Sequence, residues 1–397
     1  MTDDSFYTGS DRLIGVPTSG IRRVSNEARR LAGEGHDVIS FSTGEPDFGT
    51  PSAIVEATVD ALRAGFTHYA HNWGEPLLRQ EVAKKVEEST GISYDPGTEI
   101  LITCGGTEGI TDVLESLVNP GDEVLILNPA FLNYEAVVRK TGGIPVTIDL
   151  SPANGYAFTV KDVETRITSK TKLIVLNNPN NPTGAVYPRE ILEGLAGLAV
   201  KYNLWVFTDE MYSDLVYGDT PFCSMTAFPG MKERTLLVSG FSKTYAMTGW
   251  RLGYIAGPRK FLPVIVKNHQ YLDTCLPTFI QIGVANAMNL PETKADVAHM
   301  VGEFKKRRDL VCSLLTDIPR LTFVKPEGAF YVMIGVEKTG LTGEEFSDRL
   351  LHESYTAVVP GTCFGAAYKE SVRLSFATSE DNIRKGLGRI KKFVETL

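Results

Sequence analysis

One lysine has the sequence surroundings of a residue that does covalent chemistry. Lys243 stands at the end of an apolar run, and Arg251 follows eight positions later. The segment 235–238 before it reads Thr-Leu-Leu-Val, which is typical of a buried strand, so Lys243 is predicted to lie just past the carboxyl end of that strand. Open α/β sheets bind ligands at that edge. A lysine amine becomes a nucleophile, or a Schiff-base partner for an aldehyde, when burial or a cation such as Arg251 destabilises its charge.

Two other interpretations of Lys243 compete with the covalent one. The triplet 242–244, Ser-Lys-Thr, imitates the end of a nucleotide-binding P-loop. No glycine precedes the lysine, however, and none stands five positions before that, so the spacing excludes a P-loop. The other interpretation is a lysine on a surface loop, which is the more common case for an isolated lysine.

An aspartate and a glycine pair are predicted to lie on the same edge of the sheet as Lys243. Asp209 follows the apolar segment 204–208, and a carboxylate in such surroundings is costly unless it meets a cation. A helix N-cap is the alternative role for this aspartate. The triplet 105–107, Gly-Gly-Thr, follows the apolar segment 100–103 and opens a helix, whose N-terminus favours phosphate. A glycine pair alone opens many helices, so this second signal is weak.

Five motifs along the chain resemble one enzyme family. They are GEPDF at 44–48, NNPNNPTG at 177–184, TDEMY at 208–212, GFSKTYAMTGWRLG at 240–253 and VRLSFA at 372–377. In this order they resemble the class I and II aminotransferases, which are pyridoxal phosphate enzymes of fold type I, similar to aspartate and aromatic aminotransferases. The resemblance covers nearly the whole chain, and the fourth motif is similar to the cofactor-attachment signature.

The resemblance implies a covalent cofactor site. Lys243 would hold the cofactor aldehyde as a Schiff base, Asp209 would pair with the protonated ring nitrogen, and Tyr212 would hydrogen-bond the phenolic oxygen; these three are the predicted catalytic residues. The remaining predicted cofactor contacts are Gly105, Gly106, Thr107, Ser242 and Arg251 at the phosphate, Phe131 stacked on the ring, Asn181 at the phenolic oxygen, and Tyr69, which would reach the phosphate in the partner subunit of a homodimer. Without the resemblance, two alternative interpretations remain: Phe131 could be an ordinary core residue, and 178–184 could be an ordinary turn.

The same resemblance implies how an amino-acid substrate binds. Arg373, in a predicted strand, would grip the α-carboxylate with its planar guanidinium, assisted by Gly44 and Asn181, and an arginine on a strand's surface is the alternative. The predicted reaction moves an amino group between an α-amino acid and a 2-oxo acid. Elimination, decarboxylation or a ring-forming condensation remains the alternative, because the attachment motif serves all of them. A regulator built on this fold would need a DNA-binding segment, and none fits before Gly44.

Composition narrows the class of protein further. The chain has 397 residues, of which 40 are basic and 48 acidic, and the net charge of −8 argues against a nucleic-acid partner. The first residues lack the pattern of a secretory signal and no apolar stretch is long enough to span a bilayer, so a cytoplasmic location is expected. Five scattered cysteines without a C-x-x-C pair, and His68 near His71 without cysteines, predict neither disulfides nor a metal site.

The order of apolar and amphipathic segments predicts an α/β protein. Apolar runs separated mostly by helix signals predict a mostly parallel seven-stranded sheet, with strands at 100–103, 123–127, 144–149, 172–176, 204–208, 235–239 and 252–256. Beyond about residue 290, a long charged helix from Ala295 to about Thr316, short strands and further helices predict a smaller α+β domain. Periodicity does not place the N-terminal segment, and the family resemblance implies that it packs with the C-terminal part. The predicted large cofactor-binding domain is therefore 46–290, and the predicted small domain combines 1–45 with 291–397.

Overall fold

Strands and helices alternate along the chain, as the order of apolar segments predicts. The computed structural model describes residues 9–16 and 18–397. The strands are β1 (Ile39–Ser40), β2 (Ile100–Thr103), β3 (Glu123–Asn128), β4 (Ile144–Asp149), β5 (Thr171–Asn177), β6 (Trp205–Asp209), β7 (Thr235–Gly240), β8 (Gly253–Ala256), β9 (Thr322–Phe323), β10 (Tyr331–Gly335), β11 (Thr356–Ala357), β12 (Val359–Pro360) and β13 (Ser371–Ser375). The α-helices are α1 (Gly20–Gly33), α2 (Ser52–Arg63), α3 (Pro76–Thr90), α4 (Gly105–Leu117), α5 (Asn133–Lys140), α6 (Val160–Glu164), α7 (Arg189–Lys201), α8 (Phe241–Thr244), α9 (Leu262–Leu272), α10 (Thr278–Ala287), α11 (Pro291–Thr316), α12 (Gly343–Ser354) and α13 (Glu380–Thr396).

The large sheet contains the seven strands that the apolar runs predict. Its strand order is β2-β8-β7-β6-β5-β3-β4. Strand β8 is antiparallel to both of its neighbours, and the other pairs are parallel, which confirms the mostly parallel sheet. The parallel strands β5, β6 and β7 lie side by side, so their carboxyl ends meet at one edge.

Helices cover both faces of this sheet because successive side chains of a strand point to opposite sides. Leu125 and Leu127 of β3 pack in one apolar cluster with Leu192 of α7. Val124 of the same strand packs on the other face with Val113 of α4. Burying a side chain of this size contributes roughly 1.5–3 kcal/mol, so the two clusters make the sheet a rigid platform for the groups at its edge.

A second sheet, antiparallel and with the strand order β12-β13-β10-β9, lies in the C-terminal part of the chain. It packs against α11, α12 and α13 through an apolar cluster that includes Phe304, Phe346 and Phe393. The helix α11 begins at Pro291 and not at Ala295, where the sequence predicted its start. Proline favours the first turn of a helix, where its missing N–H is not needed, and the prediction overlooked that signal.

Helix α1 and strand β1 pack with this C-terminal part. Strand β1 pairs in parallel with β11, and Val24, Ala28 and Leu31 of α1 form an apolar cluster with Leu351 and Ala357. Periodicity along the N-terminal sequence gave no such placement, because β1 has only two residues and its partner lies more than three hundred residues away. In the part of the chain that the structure describes, no helix is both long and apolar enough to cross a membrane.

Candidate active site

A cavity of about 240 Å³ lies at the carboxyl edge of the large sheet, where β10 and β13 of the small sheet approach it. Each predicted site residue lines it except Gly105, which lies beside Arg251, and Tyr69. The predicted residues in its wall are Gly44, Gly106, Thr107, Phe131, Asn181, Asp209, Tyr212, Ser242, Lys243, Arg251 and Arg373. The wall also contains residues that the sequence analysis did not single out, namely Ile21, Ile110, Tyr134, Asn177, Met211, Thr248 and Tyr331.

Lys243 enters the cavity from the short helix α8, directly after β7. Its Nζ donates a hydrogen bond of 2.5 Å to the carbonyl oxygen of Gly44. Burial lowers the pKa of Lys243 to about 8; the nearby Arg373 and Arg251 charges act in the same direction, and Glu45 opposes them. A larger fraction of this amine is therefore neutral and nucleophilic near neutral pH than for an exposed lysine.

Asp209 is the last residue of β6 and is buried. Its Oδ2 accepts a hydrogen bond of 2.7 Å from Tyr134 Oη, and its Oδ1 accepts one of 3.0 Å from the Met211 N–H. Burial raises the pKa of Asp209, and these hydrogen bonds oppose the rise. A carboxylate held by neutral donors in apolar surroundings is stabilised further by a cation, and the cavity lies open beside it.

Arg373 is fully enclosed, with 2% of its surface exposed. Its Nη1 donates to Asn181 Oδ1 at 3.1 Å, and its Nη2 donates to the carbonyl oxygen of Ser42 at 2.7 Å. The guanidinium lies against the rings of Tyr331 and Phe364, 4.4 and 4.9 Å from their centroids. Its Nε has no hydrogen-bond partner among the residues that the structure describes. The guanidinium is therefore rigidly held, and it is not the surface arginine that the sequence left as an alternative.

Two tyrosines join the sheets at the cavity. Tyr212, after β6, places its Oη 2.9 Å from Tyr331 Oη of β10. Burial raises the pKa of Tyr212 well above its ordinary value, and the neighbouring Tyr331 hydroxyl acts in the same direction. Both phenols therefore stay protonated near neutral pH and can donate hydrogen bonds to an anionic oxygen.

The start of α4 has the features of an anion-binding site. Gly105 has a left-handed φ of +71°, and a Cβ there would lie 2.6 Å from Arg251 Nη2, so this turn requires glycine. The first N–H groups of a helix have no partner within it, and Arg251 brings positive charge beside them. Gly106, Thr107 and Ser242 lie in the same wall. The chemistry of this set of donors fits a phosphate group.

The residues that sequence analysis missed had signals of different strength. Tyr134 follows Phe131 by three positions, the spacing of one helix turn, and the two rings pack edge to face at 5.9 Å. Asn177 ends β5 inside a motif already recognised, and its Oδ1 accepts a 2.7 Å hydrogen bond from the Asn181 N–H. Tyr331 had no local signal, because an aromatic residue in an apolar strand is most often core.

Tyr69 is a predicted contact that lies away from the cavity. It is 89% exposed and contributes nothing to the cavity wall. The expectation for Tyr69 concerned the partner subunit of a dimer, so it stays a prediction.

Comparisons with known proteins identify the family. The chain matches the family model described as aminotransferase class I and II over residues 36–390. It is 40% identical to an aspartate aminotransferase of Pyrococcus abyssi, over 96% of this chain and 97% of that protein. It is 39% identical to aromatic-amino-acid aminotransferase 2 of Thermococcus litoralis, over 97% and 98%. The solved structure of aspartate aminotransferase from Thermus thermophilus with maleate has a TM-score of 0.93 at 38% identity, covering 97% of this chain and 99% of that one. The chain belongs to the class I and II aminotransferases and is a pyridoxal phosphate-dependent aminotransferase of fold type I.

Proposed function

We propose that amino groups move between an α-amino acid and a 2-oxo acid in this cavity, with Lys243 as the residue that binds the cofactor covalently. The observation that carries the proposal is the position of Lys243, whose amine has a pKa of about 8 and shares one cavity with the buried Asp209 and Arg373. A partly neutral amine reacts with an aldehyde, a carboxylate pairs with a cationic ring, and a guanidinium binds a carboxylate.

The residues of the cavity fit pyridoxal phosphate. The start of α4 and Arg251 suit the phosphate, because the first N–H groups of a helix have no partner within it and the Arg251 guanidinium lies beside this turn. Asp209 suits the protonated ring nitrogen, since its present partners are neutral donors. Phe131 offers an aromatic face in the same wall, and the Tyr212 hydroxyl offers a donor for the phenolic oxygen.

The side chains of this chain would then orient the reacting groups and move the proton. Bound pyridoxal phosphate supplies an aldehyde carbon that binds amines and a ring that withdraws electrons from the substrate. Lys243 would hold the cofactor through its Nζ, and a free Nζ at this position could accept the proton from the substrate Cα. Asp209 would keep the ring nitrogen protonated, while Tyr212 and Asn181 would hold the phenolic oxygen. General acid–base transfer of this kind contributes roughly 10²–10⁴-fold to the rate.

Arg373 is the group that suits the carboxylate common to both substrates. Asn181 and the Ser42 carbonyl fix its guanidinium, and its Nε is free of protein partners within the described residues. At position 44 any side chain would collide with Tyr331 Oη, so Gly44 keeps the backbone close to this end of the cavity. A substrate carboxylate would therefore meet a preorganised cation and would not have to order one.

A half-reaction assay tests this proposal. An amino acid added alone is expected to shift the cofactor absorbance to that of the pyridoxamine form and to release one oxo acid per site, after which an oxo acid restores the first spectrum. Repeated turnover of a single substrate, with release of ammonia, carbon dioxide or a cyclised product and no oxo-acid acceptor, would assign the cavity to elimination, decarboxylation or condensation instead.

We further propose a homodimer in which Tyr69 reaches the phosphate site of the partner subunit. Tyr69 is 89% exposed, and Tyr271 and Leu272 at the end of α9 are 86% and 51% exposed. Thr278 Oγ1 donates a 2.5 Å hydrogen bond to the His68 carbonyl, which fixes the segment of Tyr69 beside α10. Large exposed aromatic and apolar side chains favour association. Sedimentation velocity is expected to show a dimer, and an active monomer would contradict the shared site.

We also propose that 46–290 form the large domain and that 1–45 with 291–397 form the small one, of which residues 1–8 and 17 lie outside those that the structure describes. The support is that the seven-stranded sheet lies within 100–256, whereas β1 pairs with β11 beside the four-stranded sheet. Limited proteolysis is expected to cut first near residue 290. A first cut within 100–256 would argue against this division.

A further inference from the structure

A buried cluster of charged side chains lies behind the start of α4, outside the cavity wall. Glu108 and Asp112 stand one turn apart on α4 and face His269 of α9. His269 Nδ1 lies 3.3 Å from Glu108 Oε1 and 3.4 Å from Asp112 Oδ2. The side chains of His269 and Asp112 are 0% exposed, and that of Glu108 is 9% exposed. Burial on this scale requires that the charges compensate one another.

His269 is the group that compensates the two carboxylates. Burial lowers the pKa of His269, but Asp112 and Glu108 outweigh burial and raise it to about 9. Asn268 Nδ2 donates to Asp112 Oδ1 at 3.0 Å, and Asp273, just after α9, is the remaining acidic group near the imidazole. His269 therefore carries its proton at neutral pH. Without that proton two carboxylates one turn apart would repel each other in a buried space.

Glu108 connects this cluster to the anion site at the start of α4. Its Oε1 faces His269, while its Oε2 accepts a hydrogen bond from the backbone N–H of Cys104, the residue before the first glycine of the helix. The carbonyl oxygen of Cys104 in turn lies 3.4 Å from Arg251 Nη2. Glu108 and Arg251 therefore both contact the backbone of Cys104, the first at its N–H and the second at its carbonyl oxygen, and so fix the turn that precedes the helix.

We propose that His269 is a positioning residue for the cofactor phosphate, acting through Glu108 on the turn that begins α4. This inference rests on the proposed function, in which that turn and Arg251 bind the phosphate. With His269 in place, Glu108 stays directed at the Cys104 N–H, so the amides of α4 keep their orientation. Loss of the imidazolium leaves Glu108 facing Asp112, and the turn loses its fixed partner.

Comparing the affinity of the apoprotein for pyridoxal phosphate with its affinity for pyridoxal isolates the effect of His269 on phosphate binding. Apoprotein is titrated with pyridoxal phosphate and with pyridoxal, which lacks the phosphate, by quenching of tryptophan fluorescence. The ratio of the two dissociation constants measures what the phosphate contributes, and effects on the rest of the site cancel. His269→Ala is expected to reduce this phosphate preference about tenfold, the size of one lost hydrogen bond to a charged group.

Three further variants separate positioning from a general loss of structure. His269→Asn keeps a donor near the position of Nδ1, so its loss of phosphate preference is expected to be smaller than that of His269→Ala. Adding Glu108→Gln to His269→Ala is expected to restore the preference, because an amide still accepts the Cys104 N–H and no longer repels Asp112. The matched control is Asn268→Ala, since Asn268 contacts Asp112 and Glu115 but not Glu108; its preference is expected to stay at the wild-type value.

The pH profile gives an independent readout. In the wild type the phosphate preference is expected to fall as pH rises through about 9, where His269 loses its proton, and to stay flat there in His269→Asn. An equal loss of affinity for both ligands in His269→Ala, or no restoration by Glu108→Gln, overturns the proposal.

Two further results separate this inference from the proposed phosphate site and from a metal site. Arg251→Ala is expected to lower the phosphate preference whether or not His269 acts on the turn. An unchanged phosphate preference in Arg251→Ala would rule out the phosphate site itself. A reduced preference in Arg251→Ala with no reduction in His269→Ala would rule out only the positioning role of His269.

The ligand atoms of Glu108, Asp112 and His269 lie within 4.8 Å of one another. A stoichiometric metal found by elemental analysis of the purified protein would show that a metal ion, and not a proton, joins them.

Discussion

Replacing Arg373 with lysine is expected to weaken the binding of both substrates while the cavity stays intact. The guanidinium makes hydrogen bonds of 3.1 Å to Asn181 and 2.7 Å to the Ser42 carbonyl and leaves Nε for a ligand. A lysine in its place keeps the charge but loses the planar fork, so it cannot hold these partners and a carboxylate together. A charge-assisted hydrogen bond to the substrate contributes roughly 1.5–3 kcal/mol, and about 1.4 kcal/mol is a factor of ten.

The apparent KM of Arg373→Lys is therefore expected to rise about tenfold or more for the amino acid and for the oxo acid alike, with a smaller change in kcat. Initial rates across both substrate concentrations measure this. Arg308→Lys is the matched control, because Arg308 is also buried at 3% exposure but donates to the Pro326 carbonyl away from the cavity. Its variant is expected to lose stability without a change in KM. A normal KM in Arg373→Lys, or a rise for only one substrate, would show that Arg373 does not bind the carboxylate common to both substrates.

Three other experiments address the remaining groups. Lys243→Met is expected to stabilise the apoprotein by about 3 kcal/mol near pH 7, since the pKa of Lys243 falls from 10.5 to about 8 on folding. A depressed pKa makes the wild type gain stability as pH rises from about 8 to 10.5, so urea denaturation is expected to show this difference shrinking over that window, and a difference independent of pH would contradict it. Asp209→Asn is expected to keep measurable cofactor binding while turnover falls far more than in Phe131→Tyr; near-normal steady-state rates would deny Asp209 its role. Mixing Lys243→Ala chains with Tyr69→Phe chains is expected to yield heterodimers with one complete site, and activity no higher than that of the separate variants would count against a shared site.

The large sheet and its edge were predictable because parallel strands that are buried on both faces appear in the sequence as continuous apolar runs. β7 is buried along its whole length, so an apolar run located it and the residues after it, including Lys243, without knowledge of the rest of the fold. Asp209 followed from the same reasoning applied to β6. The carboxyl ends of neighbouring parallel strands lie at one edge of a sheet. The proximity of Lys243 and Asp209 could therefore be predicted from the two strands alone, without knowledge of contacts elsewhere in the fold.

Contacts that cross between the sheets were not predictable in this way. Tyr331 reaches Tyr212 from β10, and nothing in its own strand distinguishes it from a core aromatic residue. His269 lies in α9 among apolar residues, and its partners on α4 are more than 150 positions earlier. Periodicity reports which face of an element is buried but not which other element covers that face.

Borohydride reduction of the purified holoenzyme, followed by peptide mapping, tests the central claim most directly. Reduction fixes the cofactor on whichever amine holds it, so we expect the pyridoxyl group on the peptide that contains Lys243 and no labelled peptide in Lys243→Ala. A pyridoxyl group on any other lysine of the wild-type protein would contradict the assignment of Lys243 and of the mechanism built on it.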